Sequence, residues 1–371
     1  MDKIPFVDLY AQYLSIKKDI DAAIETTIRN TAFINPPVVK EFEQAFASWL
    51  GIKHVIGCAN GTDSIEILLQ AYGIGKGDEV LVPAITWIST SEAVSTVGAT
   101  PVFVDIEPDH YTIDANLIEK AITKKTKAII PVHLYGHPAD MPAIMKIAAK
   151  HNLVVIEDCA QAHGAAIHGQ TAGTFGHAAS FSFYPGKNLG AYGDAGGMAT
   201  NDDKIAEKAR MIAQHGQKGK HNHLIEGRNS RLDGLQAAIL KAKLPYLKQW
   251  TEARIQKAAH YDRLLQDADV VRPQTKDNYR PVFHLYVIRC TGNSRERIQS
   301  ALTEQKVETA IHYPTALPFL PCYAHRGHQP ADFPVAALYQ TEILSLPIYP
   351  EISAEALARV AQIIKEVPVT A

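Results

Sequence analysis

Short runs of continuous apolar residues recur through the first two thirds of the chain. Val80-Leu81-Val82-Pro83-Ala84, Pro101-Val102-Phe103-Val104-Asp105, Ala128-Ile129-Ile130-Pro131-Val132-His133 and Leu153-Val154-Val155-Ile156-Glu157-Asp158 are each strand-like. Between them, apolar residues return at helical spacing, as in Leu117 to Ile122 and Met141 to Lys150. A strand that is apolar along its whole length is covered on both faces. Such strands alternating with amphipathic helices predict an α/β architecture with a largely parallel sheet.

The pattern changes near Pro245. A long helix is predicted from Leu247 to about Ala268, with Trp250, Ile255, Ala258 and Tyr261 near one face. Then follow a strand over Pro281-Val282-Phe283-His284-Leu285-Tyr286-Val287-Ile288, a helix near Ser294–Gln305 and a strand over Thr309-Ala310-Ile311-His312-Tyr313. The chain therefore divides into a large α/β domain, residues 1–245, and a smaller C-terminal α+β domain, residues 246–371. The first residues are expected to pack with the small domain. No internal repeat, low-complexity tract or heptad run is visible.

Composition narrows the classes. The chain has 371 residues, 46% hydrophobic and 20% charged, enough for a large core. A net charge of -2 gives no footprint for nucleic acid or an anionic membrane surface. Cys58, Cys159, Cys290 and Cys322 are scattered, so neither a disulfide framework nor a structural zinc site is expected. The N-terminus lacks the form of a signal peptide, and no run reaches transmembrane length, so a cytoplasmic location is expected. His221 and His223 lack a third ligand at useful spacing, and no metal site is predicted. There is no Walker A motif and no Gly-x-Ser-x-Gly elbow.

Polar and glycine-rich residues collect after several strands, the edge where open α/β sheets bind ligands. Lys187 follows the run Ser180-Phe181-Ser182-Phe183-Tyr184 and a Pro185-Gly186 break. Asp158 closes another buried strand, where a carboxylate needs a partner. A lysine for a Schiff base and an aspartate for a pyridinium nitrogen are the two groups that pyridoxal 5′-phosphate (PLP) most requires. Asn60-Gly61-Thr62-Asp63 opens a helix, and the backbone of Gly61, Thr62 and Asp63 with the Thr62 hydroxyl would hold a phosphate. An ordinary Thr-capped helix fits the same residues. Trp87 stands where an indole would stack on a flat ring, or pack in a core. Gln161 lies one turn beyond Asp158 and could donate to a ring hydroxyl, and Ser182 could add a phosphate contact. His163 reads as a satisfied structural histidine. Glycines at 186, 190, 193, 196 and 197 suggest close approach of backbone to something bulky.

Taken together, the chain resembles the DegT/DnrJ/EryC1/StrS family of PLP-dependent nucleotide-sugar aminotransferases. The resemblance runs nearly end to end. It includes Val39-Lys40-Glu41-Phe42-Glu43, Gly61-Thr62-Asp63, Glu157 to Gly164, Ser180 to Gly190, Asn229-Ser230-Arg231-Leu232-Asp233 and Ile311-His312-Tyr313-Pro314. It implies a PLP-dependent transferase fold of type I, aspartate aminotransferase-like, with a mostly parallel seven-stranded sheet, working as a homodimer with shared active sites. It also implies Lys187 as the Schiff-base lysine, Asp158 on the pyridine nitrogen, Gln161 near the ring hydroxyl and Trp87 over the ring. Thr62 and Ser182 would touch the phosphate, and Asn229 matches a residue that reaches the phosphate of the neighbouring subunit. Tyr184, Arg231, His312 and Tyr313 are the implied substrate contacts. Asn35-Pro36-Pro37 departs from the usual Gly-Pro, and Cys159 replaces a common alanine.

The activity implied is transamination of a nucleotide-linked keto-sugar, dTDP- or UDP-linked, with L-glutamate as amino donor. The product would be an amino sugar for O-antigen, capsule or a glycosylated metabolite. The stretch Tyr184 to Gly190 looks more like members acting at C3 than at C4. The family's dehydratases carry histidine in place of the lysine, so Lys187 argues against deoxygenation. An aminodehydratase of the same family and a PLP-free regulatory protein are the competing readings.

Overall fold

The computed structural model describes residues 2–367. Its strands are β1 (His54–Cys58), β2 (Glu79–Pro83), β3 (Thr100–Val104), β4 (Thr126–Ile129), β5 (Val154–Asp158), β6 (Ala166–Ile167), β7 (Gln170–Thr171), β8 (Ala178–Ser182), β9 (Gly196–Thr200), β10 (Tyr279–Arg280), β11 (Tyr286–Arg289) and β12 (Ile343–Leu346). Seven of them form one sheet in the order β1-β9-β8-β5-β4-β2-β3. Every pairing from β3 across to β8 is parallel, and β9 runs antiparallel to both its neighbours.

Double coverage explains the uniform apolar strands. Val80 and Val82 of β2 share a core with Ile65, Leu68 and Leu69 of the helix Gly61–Ala71. Leu81, pointing the other way, shares a core with Ile144 and Ala148 of the helix Met141–His151. Strands β1 and β9 were not read from the sequence. β1 is only partly buried, and β9 opens with two glycines, so neither carries a clear apolar run.

The same alternation splits the acid pair that ends β5. Glu157 is fully buried and accepts the N–H groups of Gly173 at 2.7 Å, Phe175 at 2.8 Å and Gly176 at 2.6 Å. His133 Nδ1 accepts the Ala139 N–H at 3.0 Å, so its Nε2 carries the proton and donates to Glu157 at 2.9 Å. Glu157 thus binds the loop after β7 to the sheet, and Asp158 faces away from it.

Beyond the helix Leu247–Leu264, β11 pairs antiparallel with β12 over a core of Tyr261, Tyr286, Ile288, Leu344, Leu357 and Val360. Ile4 joins this core, its N–H bonded to Lys306 O and its carbonyl to Glu308 N, each at 3.0 Å. Three predicted elements are shorter than expected. The long helix stops at Leu264. Of Pro281–Ile288 only the end enters β11, because Val282 and Leu285 give their N–H groups to the carbonyls of Gly136 and Tyr135. Thr309–Tyr313 makes a single bridge, Ala310 with Ser345, and not a strand. The Tyr135 hydroxyl takes the His312 carbonyl instead.

Replacing Glu157 by leucine would strand three backbone donors and the His133 N–H in the core. The expected loss is about 3–5 kcal/mol of unfolding free energy in urea titrations of the apoprotein.

Candidate active site

The site lies beyond the carboxyl ends of β2, β5 and β8. Asp158 is 6% exposed, and its carboxylate accepts the Thr90 hydroxyl at 3.0 Å and the Ala160 N–H at 3.1 Å. Burial raises its pKa above the ordinary carboxylate value, against the opposing pull of those hydrogen bonds and the Lys187 charge. No ion pair among the described residues involves Asp158. Lys187 is half-buried, yet the protein crowding its amine lowers its pKa to about 8 despite the Asp158 charge.

The loop bearing Lys187 is fastened away from the amine. Lys187 N–H bonds to Tyr184 O and Ala191 N–H to Phe183 O, both at 2.8 Å. The helix Gly234–Lys243 holds the far end. Buried Lys243 donates to Gly190 O at 2.8 Å, and Gln236 accepts the Tyr192 N–H at 2.8 Å. The glycine-crowding expectation needs correction here. A Cβ on Gly190 would sit 2.2 Å from Pro185 O, and one on Gly196 would sit 2.3 Å from the Asn60 carbonyl. At these positions the bulky neighbour is the protein's own backbone.

The helix Gly61–Ala71 presents the phosphate cup. Its cap is Asn60, whose Oδ1 accepts the Asp63 N–H at 2.8 Å, and not Thr62. The Asp63 amide is thereby occupied, which removes it from the expected phosphate contacts. Its carboxylate lies 3.6 Å from Arg228. The amides of Gly61 and Thr62 stand ahead of the helical ladder. Gly61 packs directly on Ser182, where a Cβ would come within 2.8 Å of the Ser182 Cβ. Ser182 Oγ accepts the Tyr184 N–H at 3.3 Å, which leaves its own hydrogen for an anion. Thr62 Oγ1 lies 2.7 Å from Ser89 Oγ, and Ser89 donates to Glu92 at 3.2 Å.

Trp87 is 56% exposed, an unusual state for an indole, and its ring lies 5.6 Å from that of Tyr313. Gln161 is buried, with Oε1 accepting the Tyr135 N–H at 2.6 Å and Nε2 donating to the Tyr313 hydroxyl at 3.2 Å. His312 Nδ1 is 2.8 Å from Ser345 Oγ, and burial first, then the Lys187 charge, lowers its pKa to about 4. Tyr184 is exposed and Arg231 half-buried, without an ion pair among the described residues. Asn229 is exposed. Its neighbours bind this chain's own helix start: Ser230 Oγ accepts the Ala59 N–H at 3.2 Å, and Arg228 pairs with Glu66.

His163 corrects another expectation. It is fully buried among Phe46, Phe181 and Phe183, and neither ring nitrogen has a hydrogen-bond partner. Burial, then the Lys187 charge, lowers its pKa to about 3. Among the described residues His133, Glu157 and Cys159 cluster tightly enough to hold a metal ion, but His133 and Glu157 already bind each other and the backbone. Asn35 and Pro36 line a cavity of about 540 Å³ with Glu43, Arg210 and Gln214, and none of the predicted site residues borders it. Sequence reasoning missed Thr90, Tyr135, Asn188, Lys243 and His284. Of these, only Tyr135 stood in a polar strand end.

These residues fit PLP. Free amides and a hydroxyl stand at a helix start for the phosphate. A bare indole awaits a ring, and a buried carboxylate without a counter-cation awaits a pyridinium. A family model described as the DegT/DnrJ/EryC1/StrS aminotransferase family matches residues 14–365. The chain belongs to this family. It is similar to a Geobacillus stearothermophilus protein named pleiotropic regulatory protein, 47% identical over 98% of each chain. It is 40% identical to the Streptomyces venezuelae dTDP-3-amino-3,4,6-trideoxy-alpha-D-glucose transaminase, over 98% of this chain and 96% of that one. It is 43% identical to the Acidithiobacillus ferrooxidans UDP-N-acetyl-3-dehydro-alpha-D-glucosamine 3-aminotransferase, over 98% and 97%. Among solved structures, S. venezuelae DesV in complex with a ketimine intermediate superposes with a TM-score of 0.96 at 40% identity, covering 99% of this chain and 98% of that one. The fold is that of the PLP-dependent aminotransferases.

For this family member, the raised Asp158 pKa has a sign in stability. The folded apoprotein holds the Asp158 proton more tightly than the unfolded chain. The burial penalty is therefore full at neutral pH and fades as pH falls through the raised value. Apo Asp158→Asn is expected to unfold at higher urea than the wild-type apoprotein at neutral pH, with the gap closing in acid.

Proposed function

We propose that this chain is a PLP-dependent aminotransferase acting on a nucleotide-linked 3-keto sugar, dTDP- or UDP-linked, with L-glutamate as amino donor. One observation carries the reading: the Lys187 amine, with a pKa near 8, and the buried Asp158 share a cleft walled by a bare indole. When bound, PLP supplies an electron sink for the pair left behind as a proton leaves the donor Cα.

The chain's own residues do the rest. Gly61, Thr62 and Ser182 would hold the phosphate, with Asn229 reaching in from the neighbouring subunit of a homodimer. Asp158 would hold the ring nitrogen protonated, and Gln161 would sit near the ring hydroxyl. Lys187 takes and returns a proton close to neutral pH, where its amine changes charge readily. Trp87 and Tyr313 cover the ring and exclude water. His312 stays neutral at physiological pH, so it meets the substrate as a hydrogen-bonding group and not as a cation. Arg231 offers the positive charge a diphosphate needs, and Tyr184 lies open beside it. We place the division between the two domains at residues 245 and 246, and the protein in the cytoplasm. The names of the dTDP- and UDP-linked 3-amino-sugar relatives support the C3 reading.

A panel of dTDP- and UDP-linked 3-keto and 4-keto sugars, with glutamate and NMR of the product, tests this function. Transfer to a 3-keto sugar is expected; exclusive transfer at C4, or none, would sink the reading. Wild-type protein with PLP is expected to absorb at roughly 400–430 nm, and Lys187→Ala to lose that band and all transfer. A protein that never acquires the band would be the regulatory alternative.

A further inference from the structure

His284 lies outside every role assigned so far, and its hydrogen bonds fix which ring nitrogen carries the proton. Asn188, the residue after Lys187, donates through Nδ2 to Val282 O at 3.3 Å. That bond orients the amide and turns its oxygen toward His284, with Oδ1 3.1 Å from Nδ1. An amide oxygen only accepts, so Nδ1 must be the protonated nitrogen. A neutral imidazole has one N–H, and Nε2 is left as a lone pair. No described residue bonds to Nε2.

The ring has little freedom to leave. Gly136, at φ 97°, leaves no room for a side chain, since a Cβ would lie 2.9 Å from the His284 nitrogen. Leu285 N–H is tied to Tyr135 O at 3.2 Å. Arg254 donates to the carbonyls of Phe283 at 3.2 Å, His284 at 3.3 Å and Ile348 at 2.9 Å. Burial and these cations keep the imidazole neutral, its pKa well below the ordinary histidine value. Among the charges acting on the ring, that of Lys187 is the strongest. It exceeds even that of Arg254, which bonds the residue's own carbonyl. The amine therefore lies close to the ring.

We propose that His284 is a positioning residue for Lys187, locked by Asn188 as the Nδ1–H tautomer so that Nε2 accepts a hydrogen from the lysine amine. The inference rests on Lys187 being the amine of the site. Four groups bear on that amine: Asp158 from the end of β5, His163 just beyond it, His312, and His284. Asp158 is the anion among them. The histidines are neutral, and His284 is the one whose acceptor nitrogen is defined by its own hydrogen bond. When the donor amine displaces Lys187 from the cofactor, Nε2 gives the freed amine a fixed place to wait.

A lone pair that accepts from an ammonium favours the charged form, so its loss should lower the Lys187 pKa. The test uses apoprotein. The rate of reductive methylation at Lys187, followed by peptide mass spectrometry, is measured against pH. His284→Phe is expected to shift the midpoint down by about one pH unit. His284→Gln, which restores an acceptor, should recover most of it, and Asn188→Leu should shift it in the same direction as His284→Phe. Nitrogen-15 NMR of the wild-type apoprotein needs no variant: at neutral pH it should show Nδ1 protonated and Nε2 bare. A proton on Nε2, or an unmoved midpoint in folded His284→Phe, would overturn the proposal. Failure of the underlying reading looks different: Lys187→Ala would keep the chromophore, whatever the tautomer of His284.

Discussion

Loss of water around two opposite charges governs this molecule. Asp158 and Lys187 sit where solvent has been largely removed, and each is pushed toward its neutral form. Their mutual attraction opposes that push without cancelling it. The result is a carboxylate that wants a cation and an amine that changes charge near neutral pH. Both properties disappear if the sheet edge opens to solvent, so the packing of β2, β5 and β8 is part of the chemistry.

The division of labour at the end of β5 protects this arrangement. Glu157 and Asp158 are adjacent, equally acidic and both buried, yet the period of two in a strand sends them to opposite faces. Glu157 is saturated by backbone amides and the His133 ring, and so is inert. Asp158 has only two hydrogen-bond donors and keeps a need unmet. The difference between a structural and a reactive carboxylate here is the count of donors around it, not its identity or depth.

Much of this was legible from the chain. Uniform apolar strands revealed the sheet, and a carboxylate and a lysine beyond strand ends marked the cleft, because burying either is costly without a purpose. What stayed hidden depended on partners distant in sequence. His163 looked like a satisfied histidine, but three phenylalanines from two segments surround it with no acceptor. The Asp63 amide seemed available until Asn60 claimed it. The glycines around Lys187 mark tight contacts of the chain with itself. The strands expected at Pro281 and Thr309 were shortened by turns and side chains that take over their backbone hydrogen bonds. Local pattern locates charged groups well, but it does not show who satisfies them.

The fastening of the Lys187 loop has one more consequence. Its anchors are Gly190, Lys243 and Gln236, and the amine itself takes no part in holding the backbone. Architecture and reactivity are thus separable at position 187. A different side chain there would leave the scaffold standing and change only the outcome of the reaction. A lineage built on this frame could explore new chemistry through single substitutions without first surviving a loss of folding.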